Sequence, residues 1–490
     1  MAATINPDRD EWDVIVLGGA AAGENAAQYA SQFSGLSSVI VESNLLGGEC
    51  SYWACMPSKA LLRPVEIVET ANHVPGVSAR LDPAEVLARR DKVINGLDDS
   101  SQAKWAVGAG IDVVRGYGRL AGERTVAVSR PDGSTKVIRA RHAVVIDTGS
   151  CAAVPDIAGL RAALPWTSRD VTTMQDVPQR VVVLGGGVVA CEAATWLRGL
   201  GAEVTVVHRS GQLLSRYEPF AGEIVGEALQ DSGVTLLLGR TVAEVKRSEA
   251  EDRGEGRIHG GEVSLRLDDD SLLVADEVVV ATGRIPSTDD IGLQSVGLTP
   301  GGYLDVDEHQ GVRGVSGDWL YAIGDVCGRA LLTHMGKYQA RIVGEVIAAR
   351  AAGSDDLPSS SAGHVGLPQV VFTSPEVGSA GMTEQQARDA GLDCEVVEYD
   401  MAALAGTWLM RPDYRGRAKL VIDSAEDVVV GATFVGTAIA DLLHSATTAI
   451  VGRVPLSTLW HVVPSYPTAS EVWLRLQETL LTQRHVARNT

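Results

Sequence analysis

The chain has 490 residues, more than a single hydrophobic core ordinarily holds, so about two to four domains are expected. With 45% hydrophobic and 21% charged residues, its composition excludes a disordered protein. The formal net charge of −20 argues against nucleic acid and anionic membrane surfaces as partners, because both repel an acidic protein.

The N-terminal residues lack the basic stretch followed by an apolar stretch that marks a signal peptide. The sequence contains no run of about 18 apolar residues, so no membrane-spanning helix is expected. A cytoplasmic protein is therefore predicted.

A strand–turn–helix–strand unit is the first predicted element. An apolar strand over residues 13–18 enters the turn 18–23 (GGAAAG), a helix over 24–32 follows, and a strand over 38–41 ends at Glu42. The backbone N–H groups of such a turn bind a diphosphate, and the strand-end acid accepts hydrogen bonds from ribose hydroxyls. The pattern predicts a dinucleotide site, although alanine replaces the middle glycine, and its methyl group permits but crowds the close approach of the diphosphate.

Two cysteines, Cys50 and Cys55, stand about 30 residues after this turn, with Pro-Ser-Lys59 directly behind the second. We predict that both thiols lie on the first turn of a helix and form a reversible disulfide, with the helix N-terminus stabilising a thiolate. A zinc site would need a second closely spaced ligand pair, which the sequence lacks, so no metal is predicted. Lys59 is placed to stabilise the Cys55 thiolate or to contact a cofactor; the alternative is a solvated lysine. The other cysteines, Cys151, Cys191, Cys327 and Cys394, are predicted to be buried.

The same unit recurs about 167 residues later. A strand over residues 180–184 enters a second glycine turn, a helix over 192–200 follows, and the next strand, 203–207, is followed by His208 and Arg209 instead of an acid. Arginine pairs with a 2′-phosphate that an acid would repel, so NADPH is predicted over NADH. The alternative is that the arginines here are solvated surface charges.

Further short strands end in turns. Residues 144–150 and 278–284 resemble each other, and residues 320–325 form a third strand that ends on Gly-Asp. The C-terminal segment, about 365–490, contains strand-like runs and late helices but has no nucleotide motif of its own.

Together these residues resemble the class I pyridine nucleotide–disulfide oxidoreductases, a family that includes glutathione reductase, dihydrolipoamide dehydrogenase and mercuric reductase. The resemblance covers nearly the whole chain. Its most specific element is Cys50-x4-Cys55-Met-Pro-Ser-Lys59, and residues 371–384 match the start of the family's dimerisation domain. It implies an α/β fold with two Rossmann-like nucleotide-binding domains plus an α+β C-terminal dimerisation domain. The implied boundaries are 1–155 and 285–350 (FAD-binding), 156–284 (NAD(P)H-binding) and 365–490 (dimerisation).

The resemblance also implies the role of each site residue. FAD would be bound by Gly18, Ala20, Gly23, Glu42, Gly48, Thr148, Gly149, Gly324 and Asp325, with Asp325 on the ribitol. NADPH would be bound by Gly185, Gly187, Ala190, His208, Arg209, Arg216 and Gly283. Cys50 would be the interchange thiol, Cys55 the inner thiol that faces the flavin, and Lys59 and Glu192 an ion pair near the flavin ring. The family's homodimer would share each active site between its subunits.

One departure concerns the acid–base residue. The family's C-terminal signature is His-Pro-Thr-x-x-Glu, but here Tyr466 holds the histidine position while Glu471 is in place. A phenol is neutral at pH 7 and is a poor base for a thiol proton. His461 is an alternative acid–base residue. Mercuric reductases need a C-terminal vicinal cysteine pair, and no cysteine follows Cys394, so mercury reduction is not predicted.

The predicted function is an FAD-dependent NADPH oxidoreductase that reduces a small disulfide or related sulfur compound through Cys50, with Tyr466 or Glu471 orienting the thiol. The first alternative is a diaphorase-like NAD(P)H:quinone reductase, which passes electrons directly from the flavin and needs no imidazole. The second is a non-catalytic subunit or binding module, against which the intact residues Cys50, Cys55, Lys59 and Glu192 argue.

Overall fold

The computed structural model describes residues 9–360 and 365–489. The chain forms two compact units, each assembled from three stretches of sequence. The first unit consists of the described residues within Met1–Pro57, Asp91–Ala153 and Arg284–Ser361, and the second of those within Ser58–Arg90, Val154–Gly283 and Ala362–Thr490. The division into three domains stays a prediction.

The strands, in chain order, are β1 (Glu11–Leu17), β2 (Ser38–Glu42), β3 (Asp112–Arg115), β4 (Tyr117–Leu120), β5 (Thr125–Ser129), β6 (Thr135–Ile146), β7 (Ser150–Ala152), β8 (Arg180–Leu184), β9 (Glu203–His208), β10 (Thr235–Leu238), β11 (Val242–Arg247), β12 (Val263–Leu267), β13 (Leu272–Ala275), β14 (Glu277–Val280), β15 (Arg284–Pro286), β16 (Leu320–Ala322), β17 (Pro368–Val371), β18 (Glu376–Gly381), β19 (Cys394–Asp400), β20 (Arg417–Asp423) and β21 (Val428–Gly436).

The α-helices are α1 (Ala21–Ser31), α2 (Gly48–Tyr52), α3 (Cys55–Asn72), α4 (Pro83–Val93), α5 (Ser100–Gly108), α6 (Ser168–Thr173), α7 (Val188–Gly199), α8 (Pro219–Asp231), α9 (Thr333–Ala351), α10 (Glu384–Asp389), α11 (Ala405–Met410), α12 (Leu443–Val451), α13 (Leu456–Leu459) and α14 (Val472–Asn489). None of the helices among the described residues combines the length and the apolar character that crossing a membrane demands.

The first unit is built on a sheet with strand order β3-β2-β1-β6-β5-β4, and β16 also pairs with β6. Strands β1, β2, β3, β6 and β16 are parallel, whereas β5 and β4 are antiparallel. Alternate residues of β1 face opposite sides: Val14 and Val16 pack with α1 and α9, and Ile15 and Leu17 pack into a second apolar cluster. Both faces of β1 are therefore buried, which explains the uninterrupted apolar run of residues 14–17.

The second unit contains three sheets. A parallel sheet has the order β10-β9-β8-β14, an antiparallel sheet the order β11-β12-β13, and a five-stranded antiparallel sheet the order β17-β18-β21-β20-β19. Each parallel sheet has a glycine turn between its first strand and the following helix. The predicted α/β class with an α+β C-terminal segment is confirmed.

The prediction that both thiols lie on the first turn of one helix was wrong. Cys50 lies in α2, and Cys55 begins α3 after a break at Trp53, whose φ is −132°. Tyr52 and Trp53 are both buried in one cluster with Ile94. Consecutive helical side chains diverge by about 100°, so the chain must leave the helix to bury both rings on the same side.

The prediction that the other four cysteines are buried was wrong for two of them. Cys191 and Cys327 are buried, but Cys151 is exposed and Cys394 is half-buried. Cys151 is the middle residue of β7, in which Ser150 is the inward-facing residue. Because side chains alternate along a strand, Cys151 points outward.

Candidate active site

The first glycine turn is closed by backbone and side-chain contacts. Gly18 has a φ of +99°, and a β-carbon there would lie 2.1 Å from the carbonyl oxygen of Asp147, so only glycine fits. The N–H of Gly19 donates a hydrogen bond to Oε2 of Glu42 at 2.7 Å. The turn thus leads into the N-terminus of α1 with the strand-end carboxylate beside it, which is the arrangement of a dinucleotide site.

Gly48 makes room for Ala20 at the middle-glycine position. The N–H of Gly47 donates to the carbonyl oxygen of Gly19 at 2.7 Å. A β-carbon on Gly48 would lie 2.6 Å from the β-carbon of Ala20. The segment that carries Cys50 therefore packs directly on the glycine turn, and the missing side chain of Gly48 leaves room for the Ala20 methyl group.

Several buried polar atoms of the first unit have no hydrogen-bond partner among residues 9–360 and 365–489, and they include Oε1 of Glu24, the hydroxyl of Tyr52 and Nε2 of Gln339. Burial raises the pKa of Glu24 to about 7 and that of Tyr52 to about 12. Unpaired buried polar groups are costly, and a dinucleotide offers donors and acceptors to such groups. Together with the turn at Gly18, these atoms fit FAD.

Asp325 is held by a hydroxyl and a guanidinium. Oγ of Ser150 donates to Oδ2 of Asp325, and Nε of Arg284 donates to Oγ of Ser150 at 2.6 Å. The Arg284 guanidinium also lies 3.7 Å from Asp325 and 3.8 Å from Glu49. Sequence reasoning included Asp325 but missed Ser150, Arg284 and Glu49. The available signal was the recurrence of Thr-Gly-Ser and Thr-Gly-Arg at two strand ends.

Thr148 and Gly149 connect the end of β6 to the residues after β15. Oγ1 of Thr148 donates to the carbonyl oxygen of Ser287 at 2.8 Å, and the N–H of Ser287 donates to the carbonyl oxygen of Gly149 at 3.0 Å. A β-carbon on Gly149 would meet no atom within 4 Å, so the space beside it is open. The contacts shape the chain next to Asp325, and the open side of Gly149 leaves room for a ligand.

Cys50 and Cys55 are neighbouring half-buried cysteines that are not joined by a disulfide. A hydrogen bond to Cys55, followed by burial, raises the pKa of the Cys50 thiol, while Thr333 and the Lys337 ammonium act in the opposite direction. Oγ1 of Thr333, the first residue of α9, lies 3.4 Å from Sγ of Cys55. Cys50 therefore holds its proton at rest, and its attack on a substrate needs a proton acceptor. Sequence motifs gave no sign of Thr333 or Lys337, because both are brought to the thiols by α9.

Lys59 and Glu192 form an ion pair in the second unit. Nζ of Lys59 lies 2.8 Å from Oε2 of Glu192, which is buried in α7. Oε1 of Glu192 accepts a hydrogen bond from the N–H of Phe372 at 2.9 Å, and the Lys59 ammonium lies 4.7 Å from the centre of the Phe372 ring. The carboxylate and the aromatic face hold the lysine in one orientation.

The second glycine turn repeats the geometry of the first. Gly185 has a φ of +133°, and a β-carbon there would lie 2.3 Å from the carbonyl oxygen of Ala281. Gly187 precedes α7, Ala190 is buried in its first turn, and open space lies beside Gly187 and Gly283. These residues fit the diphosphate of a second dinucleotide.

His208, at the end of β9, packs against this turn. A β-carbon on Gly186 would lie 2.4 Å from Cδ2 of His208, and Nε2 of His208 is buried with no partner in the described parts of the chain. Burial, and then the Arg209 charge, lower the pKa of His208, so the imidazole is neutral at pH 7. Arg209 and Arg216 are exposed, and no carboxylate within residues 9–360 or 365–489 pairs with them. Arg209 and Arg216 are therefore two arginines without a carboxylate partner in the described chain, and they follow β9, the strand that does not end in an acidic residue.

Glu471 and Tyr466 differ sharply in burial. Glu471 is 6% exposed, one of its oxygens has no hydrogen-bond partner in the described chain, and the other lies 3.7 Å from the Arg475 guanidinium. Tyr466 is 75% exposed, and His461 is exposed as well. Glu471 therefore occupies the glutamate position of the C-terminal signature, but residues 465–471 supply no imidazole beside it.

The candidate residues fall into two groups. Those of the first unit are Gly18, Ala20, Gly23, Glu42, Gly48, Cys50, Cys55, Thr148, Gly149, Gly324 and Asp325. Those of the second unit are Lys59, Gly185, Gly187, Ala190, Glu192, His208, Arg209, Arg216, Gly283, Tyr466 and Glu471. Within each unit, one glycine turn and its strand-end residue lie together.

Comparison with known proteins agrees with this geometry. The family model for pyridine nucleotide-disulphide oxidoreductases matches residues 12–353, and the model of their dimerisation domain matches residues 367–476. The chain belongs to the class I pyridine nucleotide–disulfide oxidoreductases. Members of this family are FAD-dependent enzymes that use a pyridine nucleotide and act on sulfur groups.

Relatives from several branches of the family are similar to the chain. It is 30% identical to a glutathione reductase of Burkholderia cepacia over 95% of this chain and 98% of the relative. It is 30% identical to a dihydrolipoyl dehydrogenase of Pseudomonas aeruginosa (94% and 95% covered) and 27% identical to a mercuric reductase of Staphylococcus aureus (96% and 82% covered). The structure of RclA, an HOCl-induced flavoprotein disulfide reductase of Escherichia coli, superimposes with a TM-score of 0.81 at 23% identity, covering 96% of this chain and 99% of RclA.

Proposed function

We propose that the protein is an FAD-dependent NADPH oxidoreductase that reduces a small disulfide or a related sulfur compound through Cys50 and Cys55. The observation that carries this proposal is the hydrogen bond between the thiols of Cys50 and Cys55, with Thr333 at 3.4 Å from Cys55. Bound FAD would supply the two-electron transfer between the nicotinamide coenzyme and this cysteine pair.

Reduction of the substrate disulfide proceeds by two thiol–disulfide exchange steps. The Cys50 thiolate attacks one sulfur of the substrate disulfide, and the substrate S–S bond breaks as a mixed disulfide forms. Cys55 then attacks the Cys50 sulfur, which restores the intramolecular disulfide and releases the second substrate thiol. The substrate gains two electrons and two protons, and the dithiol loses the same number.

NADPH is the proposed coenzyme because of the charges after β9. Arg209 and Arg216 are exposed cations without a carboxylate partner in the described chain, and a 2′-phosphate would pair with them. His208 occupies the position of an acid that would repel this phosphate, and its imidazole is neutral. Both features favour NADPH over NADH.

A homodimer that shares its active sites is the proposed assembly. The dimerisation-domain match supports it, and so does a group of exposed apolar side chains in the C-terminal segment: Trp460, Val462, Val463 and Tyr466. Such a patch is unfavourable in water unless a partner covers it. Tyr466 lies within it, so a second subunit that covers the patch would also receive the tyrosine.

A quinone reductase is the second candidate function. Tyr466 stands where the family has histidine, and the hydrogen bond to Cys55 raises the pKa of Cys50, so sulfur exchange lacks an evident base. Electron transfer from the flavin to a quinone needs no such base. A Cys50→Ser variant separates the two functions: disulfide reduction is lost, whereas quinone reduction survives.

An anaerobic titration of the purified enzyme with NADPH tests the proposal. If the dithiol is active, a long-wavelength absorbance should appear once the enzyme has received two electrons per FAD. This absorbance comes from a cysteine thiolate that lies against the flavin. The Cys55→Ser variant is the control, because it keeps the fold but cannot show this absorbance. Bleaching of the flavin without the long-wavelength absorbance would contradict the sulfur proposal and favour the quinone reductase.

A further inference from the structure

A carboxyl group lies beneath the first glycine turn at a position where the second turn has a methyl group. Asp147 directly follows β6 and is 4% exposed. Ala281 follows β14 at the equivalent position, because the carbonyl oxygens of Asp147 and Ala281 lie 2.1 and 2.3 Å from the β-carbons that Gly18 and Gly185 would carry. The two strand ends share their backbone geometry and differ in this side chain.

The Asp147 carboxyl joins two parts of the FAD site. Its Oδ2 accepts a hydrogen bond from the N–H of Gly23 at 2.5 Å, which is one of the free donors in the first turn of α1. Its Oδ1 would lie 2.7 Å from a β-carbon on Gly324, so it touches the backbone of the residue before Asp325. The side chain therefore contacts both the diphosphate-binding turn and the segment that carries Asp325.

The surroundings of Asp147 disfavour a negative charge. Burial raises its pKa most, and Asp325, Glu42 at the end of β2 and Glu24 of α1 raise it further, while the Gly23 N–H lowers it. The buried thiol of Cys327 is a further titratable neighbour. A diphosphate on the Gly18 turn would add negative charge to a site already surrounded by carboxylates.

We propose that FAD binds more tightly when Asp147 is protonated, so that the protein takes up a proton with FAD and loses affinity for it as pH rises. The neutral carboxyl still accepts the Gly23 hydrogen bond and does not repel the diphosphate. This proposal rests on the placement of FAD at the Gly18 turn. The pKa of Asp147 is higher with FAD bound than without it. As pH rises from the lower to the higher of these two values, the affinity for FAD falls by up to about ten-fold per pH unit, because one proton is linked to binding.

Dilution of the holoenzyme into buffers from pH 6 to 9.5, with free FAD measured by its fluorescence, tests the proposal. The wild-type protein should release more FAD as pH rises. In Asp147→Asn and Asp147→Ala, the latter introducing the residue of the second turn, the release of FAD should depend much less on pH, with only the contribution of Glu24 remaining. A second measurement uses only the wild-type protein, so it does not depend on the folding of either variant. FAD is added back to the apoprotein in a weakly buffered indicator solution, and the uptake of protons is recorded.

Glu24→Gln is the matched control, because Glu24 is a second carboxyl with a raised pKa in this site. The pH slope should persist in Glu24→Gln. The proposal would be overturned if FAD release depended on pH equally in the wild-type and Asp147→Asn proteins, or if no proton were taken up with FAD. It would also be overturned if the pH dependence disappeared only in Glu24→Gln. If the wild-type protein binds FAD equally well at every pH, the proposal for Asp147 fails but the proposed sulfur reductase function does not. If the protein binds no FAD at any pH, the proposed function fails as well.

Discussion

Gly48 lies so close to Ala20 that a β-carbon on Gly48 would stand 2.6 Å from the β-carbon of Ala20. Gly48→Ala should therefore disturb the glycine turn and cost about 1–3 kcal/mol of stability from overpacking, with further strain because its φ is +59°. Urea unfolding and the FAD content of the purified protein measure the effect. Adding Ala20→Gly to this variant should restore only the stability that was lost through the clash between the two β-carbons. No recovery would mean that the backbone angle alone carries the cost.

Glu192→Gln should slow reduction of the flavin by NADPH, because Lys59 loses its charged partner at 2.8 Å. Glu192 is buried but Lys59 is 35% exposed, so the expected loss of stability is about 1–2 kcal/mol, less than for a fully buried pair. Stopped-flow spectroscopy and urea unfolding measure the two effects. The control is Glu66→Gln, which breaks the more exposed Arg63 pair and should change stability by less than about 0.5 kcal/mol. Equal effects of both variants would refute a special role for Glu192.

Lys337→Gln should make Cys50 less reactive. The Lys337 ammonium lowers the pKa of Cys50, so its removal raises that pKa and reduces the thiolate fraction at pH 7–8. Alkylation of the reduced enzyme by iodoacetamide should slow by about two- to five-fold, corresponding to roughly 0.5–1 kcal/mol between partly exposed charges. Lys92→Gln removes another exposed lysine of the first unit and should leave the rate unchanged. An unchanged rate in Lys337→Gln would show that this charge does not reach the thiol.

Arg209→Gln combined with Arg216→Gln should weaken binding of NADPH but not of NADH, because only NADPH has a 2′-phosphate. We expect KM for NADPH to rise by about ten-fold or more, since two charge-assisted contacts worth roughly 1 kcal/mol each are lost. Steady-state kinetics with both coenzymes measure the change. Arg266→Gln, on β12 and paired with Glu244, is the control and should alter neither KM. A parallel loss with NADH would argue for a general structural effect.

Tyr466→His should increase disulfide reduction, because it restores the imidazole of the family signature five residues before the buried Glu471, one of whose oxygens has no hydrogen-bond partner in the described chain. General acid–base catalysis contributes about 10²–10⁴-fold, so at least a ten-fold gain in kcat/KM with small disulfides is expected. Quinone reduction by the same variant should not change. His461→Gln tests the alternative base: a fall in the wild-type disulfide activity on this substitution would assign the role to His461 instead.

The family, the α/β class and the two nucleotide sites could be predicted from sequence, because each depends on a local pattern. A glycine turn such as 18–23 must follow a strand and precede a helix to bind a diphosphate, and all of its parts are neighbours along the chain. The spacing of Cys50, Cys55 and Lys59 is likewise local. In the two glycine-turn units the element ends were predicted to within four residues, with α1 and α7 starting earlier than expected, inside the glycine turns.

Other features were decided only by tertiary structure, because they join residues distant in sequence. The break between α2 and α3 follows from burying Tyr52 and Trp53 against Ile94. Thr333 reaches Cys55 from 278 residues away, and Ser150 reaches Asp325 from 175 residues away. Asp147 was visible in the sequence as a residue after a strand, but its contact with Gly23 depends on the pairing of β1 with β6. Local patterns determine which turn binds a dinucleotide; long-range packing determines which side chains surround it, since burial and pairing are properties of the folded chain.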